Sequence, residues 1–205
     1  MLFRSLRDRY RLERDKRVRP DGNSQYIEPT GRFAHFLDDP YVPRVDRAPL
    51  TDEVTFAFIG GGFAGLVTGA RVKQAGIDDV RIVEGGGDVG GAWYWNRYPG
   101  ARCDTESMQY SFGFSDELQQ SWSWSQHYAP QPEILRYARH VADRFDLRRD
   151  IRFETRVTGA AYDEKSRRWT VRTDTGKTVS ARFCVMATGC LSAADRKSTR
   201  LNSSH

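Results

Sequence analysis

The chain has 205 residues, of which 39% are hydrophobic and 29% charged, and its formal net charge at pH 7 is +5. Residues 1–20 carry a net charge of +5 and residues 195–205 carry +2, which leaves −2 for residues 21–194 and argues against a nucleic-acid-binding fold. The length suits one domain with a sizeable core, and neither a secretory signal nor a run of roughly 18 apolar residues that could span a bilayer is present.

Residues 1–50 predict an N-terminal arm rather than a domain. Basic and acidic residues alternate closely between Arg4 and Arg17, which predicts a charged helix with a solvated face. A polybasic contact with a membrane or nucleic acid is the alternative for this helix. Prolines, glycines and aspartates are then frequent up to Leu50 and favour an irregular arm. Four aromatic residues are expected to hold that arm against the body: Tyr26, Phe33, Phe36 and Tyr41.

Residues 54–76 predict a strand, a glycine-rich turn and a helix in direct succession. The apolar run 54–59 has strand length, and apolar residues at helical spacing follow from residue 63 to residue 75, with Gly76 ending the helix. In the turn, Gly60 permits the tight bend, Gly62 admits a pyrophosphate and Gly65 permits close packing of helix and strand. The pyrophosphate would lie at the helix N-terminus. The cofactor-binding residues predicted in this turn are Gly60, Gly62, Phe63, Ala64 and Gly65.

A second strand at residues 80–83 ends at Glu84, about twenty residues beyond the glycines. Folds of this kind place an acidic residue there to accept hydrogen bonds from ribose hydroxyls, so Glu84 is the predicted ribose ligand. An acidic residue disfavours a 2′-phosphate, and this first site is therefore expected to prefer FAD or NAD over NADP. The alternative is a purely structural glycine turn.

Residues 90–107 read GGAWYWNRYPGARCDTES and form the most specific motif of the chain. This run resembles the GGxWYWNRYPGxRCDxES segment of the Baeyer–Villiger monooxygenases, class B flavoproteins that insert oxygen beside a ketone. The resemblance extends over about residues 54–192, although Ala92 stands where Thr or Val is commoner. It implies an α/β fold, in which a Rossmann-like FAD-binding domain with a parallel sheet carries an inserted antiparallel β-meander. The family has two dinucleotide-binding domains, so the chain is expected to be truncated.

The aromatic run also has a physical interpretation. Trp93, Tyr94 and Trp95, with Tyr98, can wall a flavin ring, since flat rings offer much contact area at little entropic cost. A Pro-Gly turn follows, and Arg102 and Asp104 are expected to hold each other in a defined geometry at the cofactor's edge. A core aromatic cluster with a surface ion pair is the alternative.

The resemblance implies roles for individual residues of this run. Asp104 is the predicted catalytic residue, which orients the machinery below the flavin edge, and Arg102, Cys103 and Asp104 border the nicotinamide site. The residues that it implies for FAD contact are Gly91, Ala92, Trp93, Tyr94, Trp95, Asp104 and Tyr110.

The remaining elements fit the same fold. Gln131 begins an amphipathic helix with proline in its first turn. Four strands separated by turn residues follow, and they predict an antiparallel meander over residues 151–153, 156–162, 169–173 and 178–185. By resemblance, Val157 offers its backbone to the adenine, and Ala187, Thr188 and Gly189 return the chain to the first sheet beside the cofactor.

The implied function is that of an FAD- and NADPH-dependent monooxygenase, which takes one oxygen atom from O₂ and inserts it next to a ketone to give an ester or lactone. The alternatives are an N-hydroxylating or flavin-containing monooxygenase acting on amines or sulfides, and a non-catalytic FAD-binding fragment. Neither nucleic acid nor membrane is an expected partner. The three cysteines, Cys103, Cys184 and Cys190, lack metal or redox spacing, which favours a reducing, cytoplasmic compartment without a metal site.

Parts of such an enzyme are not found in this sequence. The second glycine fingerprint, the family's FxGxxxHxxxW signature and its active-site arginine are missing, so residues 51–194 are predicted to be a partial FAD-binding domain that is inactive alone. Residues 195–205 can be read in frame from a widely used sequencing-adapter oligonucleotide. We therefore predict that they are an adapter-derived tail and exclude them from the fold.

Overall fold

The computed structural model describes residues 5–18, 20, 30–43, 45, 51–176 and 178–190. Contacts divide the chain into two units, Met1–Asp38 and Asp39–His205. The predicted arm residue Tyr26 and the predicted tail, residues 195–205, lie outside the described residues. Among the described residues, no helix combines the length and the apolar character needed to cross a bilayer.

Where the structure describes the first unit, it has the α-helix α1 (Leu6–Asp15) and a 3₁₀ helix, Gly31–Leu37. The hydroxyl of Ser5 caps α1 by accepting a hydrogen bond from the amide of Asp8 at 3.2 Å. Lys16 pairs with Glu13 at 2.7 Å three residues earlier, and none of the residues of α1 is buried. The chain is thus helical where the sequence predicts a charged helix, while the solvated face remains a prediction.

A six-stranded sheet forms the centre of the second unit, with the strands in the order β3-β2-β1-β6-β5-β4. The strand β1 pairs in parallel with both β2 and β6, whereas β5 pairs antiparallel with both β4 and β6. The predicted parallel sheet and its meander are therefore confirmed, joined in one mixed sheet. The strands are β1 (Asp52–Ile59), β2 (Val80–Val83), β3 (Ile151–Arg152), β4 (Val157–Asp163), β5 (Arg168–Thr173) and β6 (Thr178–Met186).

The placement of residues 151–153 in the antiparallel meander is wrong. Ile151 and Arg152 form the short strand β3, which pairs in parallel with Ile82 and Val83 of β2 at the opposite edge of the sheet. The turn residues after β4 and β5 mark hairpins, whereas the chain between β2 and Ile151 passes through helices, among them Gln131–Arg144, and returns beside β2 as a crossover. Crossovers of this kind produce parallel pairs.

The apolar faces of two helices and of the sheet make the main core, which contains Phe58, Leu66, Ile82, Tyr137 and Val141. The predicted helix after the glycines is confirmed, and Gly76 follows its C-terminal cap with a φ of +82°. The predicted helix at Gln131 is confirmed as well. The helices of this unit are α2 (Phe63–Gln74), α3 (Ala92–Trp95), α4 (Ser107–Tyr110), α5 (Asp116–Gln120) and α6 (Gln131–Arg144), with a 3₁₀ helix at Arg148–Asp150.

The strand order reverses at β1. From β1 the chain crosses through α2 to β2 on one side, while β6 pairs with the other side of β1. In open α/β sheets, ligands bind outside the carboxyl ends of the strands at the point where the strand order reverses. The loops that follow β1, β2 and β6 meet at this point.

Candidate functional site

The glycine turn after β1 is packed too closely to admit side chains. Gly60 has a φ of +110°, and a Cβ on it would lie 2.5 Å from the carbonyl oxygen of Ala187, beyond the end of β6. A Cβ on Gly65 would overlap the carbonyl oxygen of Gly60. The helix α2 begins after Gly62 with no side-chain cap and no acidic residue in its first turn. The amides of Gly62, Phe63 and Ala64 at the start of α2 therefore suit an anion, which the helix dipole also favours.

The carboxylate of Glu84 lies directly beside this turn. Its Oε2 accepts a hydrogen bond from the Gly61 amide at 2.5 Å, and its Oε1 accepts one from the Gly86 amide at 2.7 Å. Glu84 is only 6% exposed. This burial raises the pKa of its carboxyl group, although the hydrogen bonds from the amides of Gly86 and Gly61 lower it. The structure thus brings the predicted ribose ligand and the predicted pyrophosphate turn together.

Gly90 and Gly91 pack against the glycine turn that follows β1. The Gly90 amide donates to the carbonyl oxygen of Gly61 at 3.1 Å, and a Cβ on Gly91 would lie 2.9 Å from the Cα of Gly62. The short helix α3, which begins at Ala92, therefore starts at the edge of the dinucleotide turn. This contact connects the tryptophan-rich run to the fingerprint without any charged side chain.

An aromatic cluster links the fingerprint to the cysteine-containing part of the motif. The indole nitrogen of Trp93 donates to the Tyr110 hydroxyl at 2.7 Å, and the Phe63 and Tyr110 rings lie 5.0 Å apart. Cys103 is buried in the same cluster. Burial raises the pKa of Tyr110, although the hydrogen bond from Trp93 acts in the opposite direction. Asp104 itself is exposed beside this cluster.

The side chains of the aromatic run have different surroundings. Tyr94 is 1% exposed and donates its hydroxyl hydrogen to Asp39 at 2.6 Å, so its ring is enclosed by the protein. Trp95 lies edge-on to Tyr94 and is half-buried, whereas Tyr98 is 63% exposed. Of the aromatic side chains in this run, Trp93 is the one that packs against the fingerprint residue Phe63 and its cluster.

The expected pairing of Arg102 with Asp104 is wrong. The Nη1 atom of Arg102 donates to the Gln126 side-chain oxygen and to the Tyr128 carbonyl oxygen, each at 2.6 Å. Within the part of the chain that the structure describes, no ion pair joins Arg102 to Asp104. The reason is a backbone bridge between Arg102 and Pro130, which brings Gln126 and Tyr128 alongside the guanidinium.

The remaining predicted site residues lie near the same end of the sheet. Val157, in β4, packs against a cluster that contains Ile59 and Val83, the last residues of β1 and β2. Ala187 contacts Gly60, and Thr188 and Gly189 follow directly after it. Sequence reasoning missed Asp39, whose carboxylate holds Tyr94. Asp39 and Tyr94 are 55 residues apart in the sequence, so no local sequence pattern indicates their contact.

A parallel sheet with a glycine turn at its crossover point and an acidic residue at the end of the next strand defines a dinucleotide-binding domain. The sequence profile described as "Pyridine nucleotide-disulphide oxidoreductase" matches residues 57–202. The chain belongs to this family. The fold class predicted from the sequence is thereby confirmed.

Individual relatives have more specific names. A "Baeyer-Villiger monooxygenase" of Streptomyces coelicolor is 45% identical over 188 residues, which are 91% of this chain and 31% of that protein. The solved structure "Oxidized steroid monooxygenase bound to NADP" is 59% identical, with a TM-score of 0.67 over 70% of this chain and 27% of that one. The structure "OTEMO complex with FAD and NADP" is 45% identical, with a TM-score of 0.65 over 69% of this chain and 27% of that one.

These comparisons confirm the resemblance to Baeyer–Villiger monooxygenases and favour it over the N-hydroxylating and flavin-containing alternatives. The chain spans less than a third of the length of the curated relatives most similar to it among those compared, and 31% of the Streptomyces coelicolor protein. This share is consistent with the expectation that the chain holds one part of a longer enzyme.

Proposed function

We propose that this chain is the FAD-binding part of a Baeyer–Villiger monooxygenase. The observation that carries the proposal is the buried carboxylate of Glu84 beside the Gly61 amide, next to the helix N-terminus that lacks a side-chain cap. A pyrophosphate fits the amides of Gly62, Phe63 and Ala64, and ribose hydroxyls fit Glu84. The glycine turn packs against the backbone of Ala187 and Gly91, which supports the position of these amides.

In the complete enzyme, FAD would supply the redox chemistry that NADPH drives and that transfers one oxygen atom from O₂ to a ketone. The residues described here bind and orient it. The loop that begins at Gly91 would edge the ring system, with Trp93 held in place by Tyr110. Asp104, on the exposed side of this cluster, would orient the catalytic groups at the flavin edge. Arg102 and Cys103 would border the nicotinamide.

The product expected of the whole enzyme is an ester or lactone formed from a ketone. The name of the Streptomyces coelicolor relative supports this reaction. A cytoplasmic location belongs to the same proposal, since Cys103, Cys184 and Cys190 are free thiols, as a reducing compartment allows.

Flavin binding by the purified chain tests the proposal directly. We expect the chain to retain FAD through gel filtration and to show bound-flavin absorbance, because the pyrophosphate and ribose sites lie within residues 60–91. Turnover of cyclic ketones with NADPH should be absent, since the sequence lacks the second fingerprint and the signature. An equal amount of NADP should not displace the flavin. A colourless chain after incubation with FAD would contradict the proposal. Ketone oxidation by the chain alone would contradict the expectation that this part of the enzyme is inactive by itself.

The affinity for FAD should depend on the protonation of Glu84. Ribose hydroxyls donate more strongly to a carboxylate than to a carboxylic acid, so protonation weakens binding. Burial raises the pKa of Glu84, so the loss of affinity on acidification should begin above the ordinary glutamate value of roughly 4.3. Fluorescence titrations with FAD between neutral and mildly acidic pH measure this. The Glu84→Gln variant should show no such pH dependence, and an equal dependence in both proteins would refute the assignment.

A further inference from the structure

The segment of residues 39–43, here called the strap, contacts the loop that follows β2. The Oδ2 atom of Asp39 accepts hydrogen bonds from the Gly87 amide at 2.8 Å and from the Tyr94 hydroxyl at 2.6 Å. Its Oδ1 accepts one from the Tyr41 amide at 2.8 Å. One carboxylate therefore joins the strap to the glycine loop and to α3, at Gly87 and Tyr94, which lie 48 and 55 residues later in the sequence.

Further contacts of the strap fix α3 and the residues just beyond it. The Tyr41 hydroxyl donates to the carbonyl oxygen of Trp95 at 2.9 Å, and its ring lies edge-on to that of Tyr94 at 5.5 Å. The guanidinium of Arg97 lies 3.6 Å from the centroid of the Tyr41 ring. The helix α3 has a single turn, which is too short to be stable without such contacts.

The strap also packs closely against the glycine loop. A Cβ on Gly87 would overlap a methyl group of Val42 and would lie 3.2 Å from the Tyr94 hydroxyl. Loop residues 85–87 are all glycine and have no side chains with which to fix themselves. Two carboxylates hold their backbone instead: Glu84 binds the Gly86 amide and Asp39 binds the Gly87 amide.

The two carboxylates influence each other. Partial burial opposes ionisation of Asp39, but the Tyr94 hydroxyl and the amides of Tyr41, Gly87 and Val42 lower its pKa. Burial is the main cause of the raised pKa of Glu84, and the negative charge of Asp39 raises it further. Burial and Asp39 also raise the pKa of Tyr94, with Arg97 opposing, so this hydroxyl remains a donor. A third carboxylate, that of Glu154, accepts a hydrogen bond from the Val45 amide at 3.3 Å.

We propose that Asp39 is a positioning residue for the dinucleotide site and that the strap holds the Gly85–Gly87 loop and α3 in the geometry that presents Glu84 to the ribose. This inference rests on the proposed function and extends it to a part of the chain that precedes the dinucleotide fold. The strap lies outside the fingerprint, and the carboxylate of Asp39 is engaged by Gly87, Tyr94 and Tyr41. It acts through Glu84 and Tyr94.

The test compares Asp39→Asn and Asp39→Ala with Asp38→Asn, a neutralisation of the exposed neighbouring aspartate. In the full chain we expect FAD to bind about tenfold more weakly in Asp39→Asn, and more weakly still in Asp39→Ala, because charge-assisted hydrogen bonds to the loop are lost. Tyr94→Phe, which keeps the Gly87 contact, should have a smaller effect. The midpoint of the pH dependence of FAD binding should move to lower pH in Asp39→Asn, which a general loss of stability would not produce.

Hydrogen exchange of the Gly86 and Gly87 amides in the flavin-free chain separates this inference from the proposed function. Exchange should accelerate in both Asp39 variants and not in Asp38→Asn, whether or not the chain binds FAD. If the unmodified chain binds no FAD, the proposed function fails while the exchange data still test the strap. Unchanged exchange in Asp39→Ala would refute the claim that the strap holds the glycine loop. Faster exchange with unchanged FAD affinity would refute the positioning role of Asp39.

Discussion

Replacing Gly65 with alanine should destroy the dinucleotide turn. A Cβ at this position would overlap the backbone carbonyl oxygen of Gly60, and no side chain can move away to make room. Either β1 or α2 must shift, although Phe58 and Leu66 fix both elements in the main core. We expect a loss of about 3 kcal/mol in the free energy of unfolding and no measurable FAD binding. Urea denaturation followed by circular dichroism, together with FAD titration, measures both effects.

Gly69→Ala is the matched control in the same helix. Its Cβ would meet the end of the Ile82 side chain at 3.1 Å, and that group can adjust. Alanine also favours the helical state over glycine by about 1 kcal/mol, which offsets the tighter packing. The change in stability should therefore be much smaller, and the affinity for FAD should stay near that of the unmodified chain. Equal losses in the two variants would show that the Gly65 contact has no special importance.

Glu84→Gln should weaken FAD binding by about 2 kcal/mol, or roughly thirtyfold. An amide side chain keeps one acceptor for Gly61 or Gly86 but turns donor hydrogens toward the other amide. It also loses the charge that strengthens hydrogen bonds from the ribose. Isothermal titration with FAD measures the change, and an unfolding curve of the same variant reports the structural cost.

Glu133→Gln provides the comparison for this variant. Glu133 is also buried, and it accepts hydrogen bonds from the Ser125 amide at 2.8 Å and from the Ser125 hydroxyl at 2.7 Å. It lies at the start of α6 and not beside the glycine turn. Glu133→Gln should therefore lower stability while leaving most of the FAD affinity intact. If it weakened FAD binding as much as Glu84→Gln, the effect at Glu84 would be a consequence of stability.

Local patterns in the sequence were enough to predict the central elements of the fold. The strand, glycine turn and helix at residues 54–76 depend on neighbouring residues and on sterics within a few positions, and the structure has them in that arrangement. The same holds for the hairpin turns of the meander, which consist of residues that favour such turns.

Contacts between distant segments could not be predicted in this way. Periodicity identifies Ile151 as part of a strand but cannot say which edge of the sheet the crossover reaches. Arg102 was expected to pair with Asp104 by proximity in sequence, yet Gln126 and Tyr128 are closer in space. Asp39 meets Gly87 across 48 residues, and its role follows only from the folded arrangement. The residue-level roles in flavin and nicotinamide binding remain predictions.

The strand β6 belongs to two pairings at once. Residues 178–181 pair with β5 in the meander, and the same strand continues along β1 as far as Met186. The backbone hydrogen bonds therefore run without interruption from the hairpins to the strand that precedes the glycine turn. Because both parts share β6, one part of the sheet cannot unfold while the other stays ordered. The hairpins and the candidate nucleotide site should therefore fold and unfold as one cooperative unit.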